Sequence, residues 1–308
     1  MLLDYIKYPF SRKVRNKVKN KNFVLIMTLV VRNEDDIIEQ NIRFHKAMGV
    51  DGFIVLSHNS TDETNTILHK LKDEGLVLEI VFKDGVAHEH SKWVSELIKI
   101  AKSKYNAKWV INADADEFYY SNSLNLKTSI KMCEKANIIW VDSIFLFPEH
   151  SGHFFDATYF VTRPLQRFEA QMNNILNDSI FSEFIESQGC TKVIHKTFGF
   201  RKIEDGNHDV KLFCQNKVQS ADIRLYHYHI RNYEGLKRKI KRWSSSIYVL
   251  PKDQGMHMRI LVDAYKEDRL IELFYEKYTL NKNALIEMGV ISHDPSVKNF
   301  LMFNNIKY

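Results

Sequence analysis

From residue 23 onward the chain alternates apolar runs with amphipathic segments, the pattern of a mostly parallel β-sheet covered by helices. Phe23 to Val31 reads as a buried strand. Asn33 is placed to cap the helix that follows, with Asp35 and Asp36 in its first turn, Ile37, Ile38, Ile42 and His45 near one face, and Gly49 at its end. The alternation continues with a strand at Phe53 to Ser57, a helix capped by Ser60 or Thr61 and running to Gly75, and a strand at Leu76 to Phe82. Trp93, Val94, Leu97, Ile98 and Ala101 mark a further helix, and Trp109 to Ala113 is a short strand that runs straight into Asp114-Ala115-Asp116-Glu117. Beyond this point the pattern loosens. Ile138 to Phe147, Tyr159 to Phe168, Lys192 to Lys196 and Ile223 to Ile230 are strand-like, and residues 169 to 189 read as a loop. Helical stretches follow at Tyr233 to Tyr248 and Met256 to Tyr278. The expectation is an α/β fold in three parts: a basic segment over 1–22, a main domain over 23–230 and a C-terminal helical region over 231–308.

A chain of 308 residues with ordinary apolar content can bury a large core, which excludes wholesale disorder. No run approaches the roughly 20 apolar residues of a membrane-spanning helix, and the start lacks the basic-then-apolar order of a secretory signal. Three cysteines without a Cys-x-x-Cys argue against a disulfide framework, so the expected compartment is the cytoplasm. The net charge of +6 is unevenly placed. Lys7 to Lys21 holds seven cations and no acid, and a second cluster from Arg231 to Arg242 is opposed only by Glu234. Such clusters suit an anionic membrane face or a diphosphate. No recognised nucleic-acid motif accompanies them, so no nucleic-acid partner is expected.

The strongest chemical feature is Asp114-Ala115-Asp116. Two carboxylates one residue apart, where an apolar strand ends, present oxygen ligands at the sheet edge on which open α/β folds bind their substrates. Hard cations such as Mn²⁺ or Mg²⁺ take such ligands and bridge them to phosphates. A Ca²⁺ loop is excluded, because no glycine and no distal glutamate follow at the required spacing.

Several segments, in order, resemble the family 2-like glycosyltransferases of GT-A fold, in the branch related to family 92. They are Val31-Arg32-Asn33-Glu34, His45 to Asp51, Asn59-Ser60-Thr61-Asp62, Trp109 to Phe118, Lys192-Val193-Ile194 with His208, and His227-Tyr228 with Arg231-Asn232-Tyr233-Glu234. The resemblance implies a GT-A fold with a helical C-terminal extension and a metal-dependent, inverting transfer of a sugar. The implied donor is a nucleotide-sugar, a UDP-sugar first, and the implied acceptor is a glycan or lipid-linked glycan of bacterial surface polysaccharide or lipopolysaccharide. Under it, Val31, Arg32, Asn33, Glu34, Asn59, Asp62, Asp114 and Ala115 line the donor site. Asp114, Asp116 and His227 hold Mn²⁺ or Mg²⁺, with His229 in reserve. His208, Arg231 and Lys237 face the diphosphate, and Asp205, Asp209 or Glu149 supplies the base. His88 and His90, two apart on a helix, do not share a face and are not expected to ligate together. Two segments depart from the family pattern: Ser57-His58 ahead of the Asn-Ser-Thr-Asp turn, and Phe147-Pro148-Glu149-His150 on the acceptor side. The basic segment over Lys7 to Lys21 would dock on an anionic membrane face. The competing readings are a nucleotidyltransferase, which would need a Gly-rich basic loop after the first strand, and a non-catalytic basic binding protein.

Overall fold

The computed structural model describes residues 25–85, 89–149, 152–165, 191–231, 233–244, 248, 256–270 and 277–308. The basic amino-terminal segment, the loop expected at 169–189 and His88 lie outside these residues. The first half is an α/β alternation: β1 (Leu25–Val31), α1 (Ile38–Ala47), β2 (Gly52–His58), α2 (Thr64–Asp73), β3 (Val77–Lys83), α3 (His90–Tyr105) and β4 (Trp109–Ala113). The chain continues through β5 (Glu117–Ser121), α4 (Leu126–Met132), β6 (Ile138–Val141), β7 (Ser143–Leu146), β8 (Tyr159–Val161) and β9 (Lys192–Lys196). Then come β10 (Phe200–Ile203), β11 (Val210–Leu212), β12 (Lys217–Gln219), β13 (Ile223–His227), α5 (Tyr233–Ser244), α6 (Met256–Lys266), α7 (Lys277–Glu287), β14 (Ile291–His293) and α8 (Ser296–Phe303).

The central sheet has seven strands in the order β12-β6-β9-β4-β1-β2-β3. All run parallel except β9, which lies antiparallel between β4 and β6. This is the mostly parallel α/β sheet that the sequence predicts. Strands β1, β2 and β4 are buried along almost their whole length and mostly apolar, because helices cover both of their faces. Helix α3 buries Trp93, Val94, Leu97, Ile98 and Ala101 against Ile26, Ile54 and Val110 on one face. Helices α1 and α2 pack Ile42, Phe44, Leu68 and Leu71 with Leu25, Met27 and Val55 on the other. A buried polar chain crosses the sheet interior. The Thr28 hydroxyl donates to Asn112 Oδ1 (2.7 Å), Asn112 Nδ2 donates to His195 Nε2 (3.0 Å), and His195 Nδ1 donates to the Lys196 carbonyl.

A second, five-stranded sheet has the order β14-β8-β7-β13-β5. One of its faces carries Phe118, Tyr226 and Phe160, which meet Phe44, Phe155 and Phe300 in an aromatic cluster with ring centroids about 5 Å apart. Another core joins Val161 and Ile291 of this sheet to Leu236 and Ile240 of α5 and Leu261 and Val262 of α6. The residues after 231 therefore contribute a strand to the second sheet and a helix, α8, to the main core.

The structure corrects several local expectations. The run Ile138 to Phe147 is two strands. Val141 pairs with Lys192 in the central sheet, while Ser143 pairs with Leu225 in the second, so the chain changes sheets at Asp142. Asn33 does not cap α1. It adopts a left-handed backbone (φ 57°) and its Oδ1 accepts the Thr61 N–H, so the helix starts four residues later than a cap there would set it. Neither Ser60 nor Thr61 caps α2; the Asp62 carboxylate accepts the Thr64 N–H at the head of that helix (3.0 Å). Gly49 does close α1, with a positive φ of 96° that a β-carbon would oppose.

Candidate functional site

The carboxyl ends of β1, β2 and β4 meet at one edge, joined there by the start of the antiparallel β9, the start of α3 and the end of β13. The loops after β1 and β2 are clipped together by the Asn-Ser-Thr-Asp turn and by Thr64 at the start of α2. The Ser60 hydroxyl accepts the Asn33 N–H, the Thr64 hydroxyl the Glu34 N–H, and the Asp62 carboxylate the Asp35 N–H. Burial and the facing Asp62 push the Asp35 carboxyl up. Asn59, also left-handed (φ 49°), donates to the Gly85 carbonyl at 2.7 Å. Val31 is buried at the strand end and Arg32 is exposed. Of the expected donor residues, Asn33, Asn59 and Asp62 thus shape the rim by holding backbone.

The turn Asp114-Ala115-Asp116 is fixed from below by α1. The Asn41 amide donates to the carbonyls of Ala115 (2.9 Å) and Glu117 (2.8 Å). His45, four residues on, donates from Nδ1 to the Asn41 carbonyl and accepts the Tyr119 N–H on Nε2 (2.9 Å). The motif histidine therefore positions the acidic turn. Burial drives its imidazole down to about 3, so it stays neutral and keeps the acceptor that Tyr119 needs.

Asp114 and Asp116 diverge. Asp116 Oδ1 lies 3.4 Å from His227 Nε2. Burial opposes its charge, but His227, Lys239 and Arg231 outweigh that and hold the carboxyl well below the usual range. Asp114 turns instead toward Lys192 Nζ (3.4 Å) and His90 Nε2 (3.8 Å). Burial opposes ionisation here too, and Lys192 and His90 still bring its pKa to about 2. Lys192 is buried and forms a 2.7 Å ion pair with the buried Glu117. Burial disfavours its charge, but Glu117, Asp114 and Asp116 raise the ammonium pKa above the ordinary lysine range. His229, the reserve ligand, is buried against Phe145 with ring centroids 4.7 Å apart, and His227 is the residue that faces Asp116. The structure brings Asp116 and His227 together, whereas Asp114 is not gathered with them. Among the described residues no three His, Cys, Asp or Glu side chains form a closed metal cage.

The cations divide differently from the sequence expectation. Arg231 is half-buried and pinned between Glu34 (2.7 Å) and Asp36 (3.2 Å), so it ties the end of β13 to the loop after β1. Lys237 lies over the Tyr233 ring and pairs with Glu234 on the outside of α5. It is Lys239, near enough to Asp116 to affect its charge and donating to the His229 carbonyl, that faces the site from this helix. Among the three candidate bases, Asp209 is bound to Lys217 (2.6 Å) and Glu149 to Lys282 (2.8 Å). Asp205 is exposed and accepts the Ser91 N–H (3.1 Å), beside His90. His208 donates to the carbonyl of Thr191, the residue before Lys192. Sequence reasoning missed Lys192, Glu117, His90 and Lys239 as site residues. The first two sat inside quoted motifs, but their pairing spans 75 positions and no spacing rule exposes it.

The model of glycosyltransferase family 92 matches residues 23–272. The chain belongs to that family. This sets aside the nucleotidyltransferase and the basic binding protein, and makes the protein a glycosyltransferase. Among solved structures, this glycosyltransferase is similar to residues 1–349 of S. aureus TarS in complex with UDP-GlcNAc (12% identity over 85% of this chain and 75% of that chain, TM-score 0.40). It is also similar to Mycobacterium tuberculosis glucosyl-3-phosphoglycerate synthase in complex with Mn²⁺, UDP and glucosyl-3-phosphoglycerate (14% identity, 63% of each chain, TM-score 0.31). Both likenesses are too distant to transfer a residue role. No curated protein matches the chain. Among its described residues no helix is long and apolar enough to cross a membrane.

Proposed function

We propose that this glycosyltransferase moves a sugar from a nucleoside-diphosphate donor, a UDP-sugar in the first instance, to a hydroxyl of a glycan or lipid-linked glycan, with inversion at the anomeric carbon. The observation that carries the reading is the meeting of Asp116, His227 and Lys239 at the carboxyl edge, beside Asp114 and its buried counter-ion Lys192. The Asp116 oxygen and the His227 nitrogen are 3.4 Å apart, near the roughly 3 Å that separates neighbouring ligands of one octahedral cation with bonds of about 2.1 Å. The pair fits Mn²⁺, which accepts imidazole better than Mg²⁺ does. Asp116 and His227 would be the residues that hold such a cation. Bound there, the cation would supply charge that stabilises the departing nucleoside diphosphate.

The chain's own residues account for the remaining needs. Lys239 adds fixed positive charge on the same side. Asn41 and His45 hold the acidic turn, and the Glu117–Lys192 pair sets Asp114. Asp205 is the base this geometry favours, because Asp209 and Glu149 are each held by a lysine, while Asp205 is open to solvent next to His90. It would take the acceptor hydroxyl's proton as that oxygen attacks the anomeric carbon. Incubation with a panel of nucleotide-sugars and Mn²⁺, following nucleotide release and sugar transfer, tests the reading. Release from a UDP-sugar is expected, and the absence of release from every donor would overturn it.

A further inference from the structure

The opposite edge of the central sheet carries a feature that the transfer reaction does not use. Four segments gather at the amino ends of β4, β6 and β12 and the carboxyl end of β9: residues 102–108, 131–137, 196–202 and 211–216. Hydrogen bonds join them, from Thr197 to the carbonyls of Ala107 and Lys108, from Asn137 to that of Cys214, and from Asn216 to that of Lys135. Together they hold nine lysines and arginines and one acid, Glu134. Of the nine, Lys104 pairs with Glu79. The rest make no ion pair among the described residues. Amid this charge stand two phenyl rings in solvent, Phe198 (82% exposed) and Phe213 (72% exposed). They are diagonal neighbours on the turn between β9 and β10 and at the end of β11, since the Phe213 N–H bonds the Gly199 carbonyl. Lys102 lies 5.9 Å from the Phe198 ring centre and Arg201 lies 5.2 Å from that of Phe213.

We propose that this amino edge docks the protein on an anionic lipid bilayer, with Phe198 and Phe213 entering the headgroup region and the surrounding cations meeting lipid phosphates. Apolar rings at loop tips within a field of lysines match the two requirements of such a surface: shallow apolar insertion and electrostatic attraction. A second copy of the chain is a poor occupant, because its own amino edge would bring a like charge of similar size. Continuity with the preceding segment of the chain also favours the bilayer. Leu25, the first residue of β1, pairs with Trp109 at this same edge, and the sequence ahead of it holds the seven cations from Lys7 to Lys21 with no acid among them. On the transferase reading, Asp114 and Asp116 leave the far end of β4, a strand of five residues and so roughly 17 Å long. A docked molecule would hold its site that far above the lipid, which suits the outer end of a glycan chain better than a hydroxyl at headgroup level.

Co-sedimentation of the full chain at low salt, with vesicles of phosphatidylcholine alone and of equal parts phosphatidylcholine and phosphatidylglycerol, tests this directly. Binding is expected to the anionic vesicles only. Phe198→Ser with Phe213→Ser should weaken it at least about tenfold, and Arg201→Gln or Lys211→Gln about fivefold each. All four positions are exposed, and an unchanged thermal midpoint with unchanged nucleotide release would show that the variants fold. No binding by the wild-type chain, or binding that the edge variants leave intact, overturns the proposal. So does binding to heparin or single-stranded DNA that matches lipid binding and ignores the phenylalanines, which would mark a polyanion site.

Discussion

At the carboxyl edge of the central sheet, Lys192 meets Glu117 and Asp114, Arg231 meets Glu34 and Asp36, and Asp116 meets His227. At the amino edge of the same strands, Lys102, Lys108 and Lys211 meet no carboxylate among the described residues. The first edge holds its charges at fixed distances and partly out of water, where a removed partner leaves the other uncompensated. The second leaves its charges solvated, where each contributes little to the fold and is available to an external anion. Charge that is paired and buried is bound up with the architecture of a reaction site; charge that is unpaired and exposed is available for association.

The sharpest break in this contrast is Lys192→Met. It strands Glu117 in the interior, and a cost of about 3–5 kcal/mol in unfolding free energy is expected, as for other broken buried pairs. Denaturant melts at pH 7 measure it, and a loss below about 1 kcal/mol would mean that the pair is solvated after all.

Between the edges, acid should act through His45 and His195, whose imidazoles burial brings down to about 3 and about 4. Below the ordinary value near 6.5 the unfolded chain takes up protons that these folded imidazoles refuse. Their stabilising effect is therefore complete above about pH 6.5 and is lost as pH falls from there toward 3–4. For His45 alone the full loss is on the order of 5 kcal/mol. Melts between pH 7 and pH 4.5 should show the decline, and His45→Gln should flatten it; an unchanged slope in that variant would contradict the assignment.

Asp116→Ala comes next. Turnover should fall by about 10²–10³, the usual cost of losing one charge-stabilising element, while the folded fraction at assay temperature is retained. Activity close to wild type would move the centre of the site away from β4. The smallest effect belongs to the amino edge, where Lys102→Gln or Lys108→Gln should change stability by no more than about 0.5 kcal/mol. A larger loss would show that this edge is tied into the fold by contacts of the kind found at the other.

The parallel strands of the first half were legible because each is an apolar run followed by an amphipathic helix, and Trp109–Ala113 was bounded to the residue by the charges on either side. The change of sheet at Asp142 was not legible. Hydrophobicity records that Ile139 and Leu146 are buried, not which sheet buries them. Asn33 and Thr61 carry helix-capping chemistry, yet tertiary contact turned Asn33 toward the neighbouring loop. The acidic turn and its facing histidine were readable from the sequence together with the family resemblance. Lys239 was not, because the helical face that looks at Asp116 is fixed by how Leu236 and Ile240 pack beneath α5.

On the proposed reading, Asp116 and His227 hold a cation together with the donor's diphosphate. Titrating Mn²⁺ into the protein with UDP present, and following the free Mn²⁺ signal by electron paramagnetic resonance, addresses it without relying on turnover. The wild-type chain should take up about one Mn²⁺ per molecule in a UDP-dependent manner, His227→Ala should weaken that uptake, and Asp116→Ala should abolish it. Equal uptake by the wild-type chain and Asp116→Ala would contradict the account.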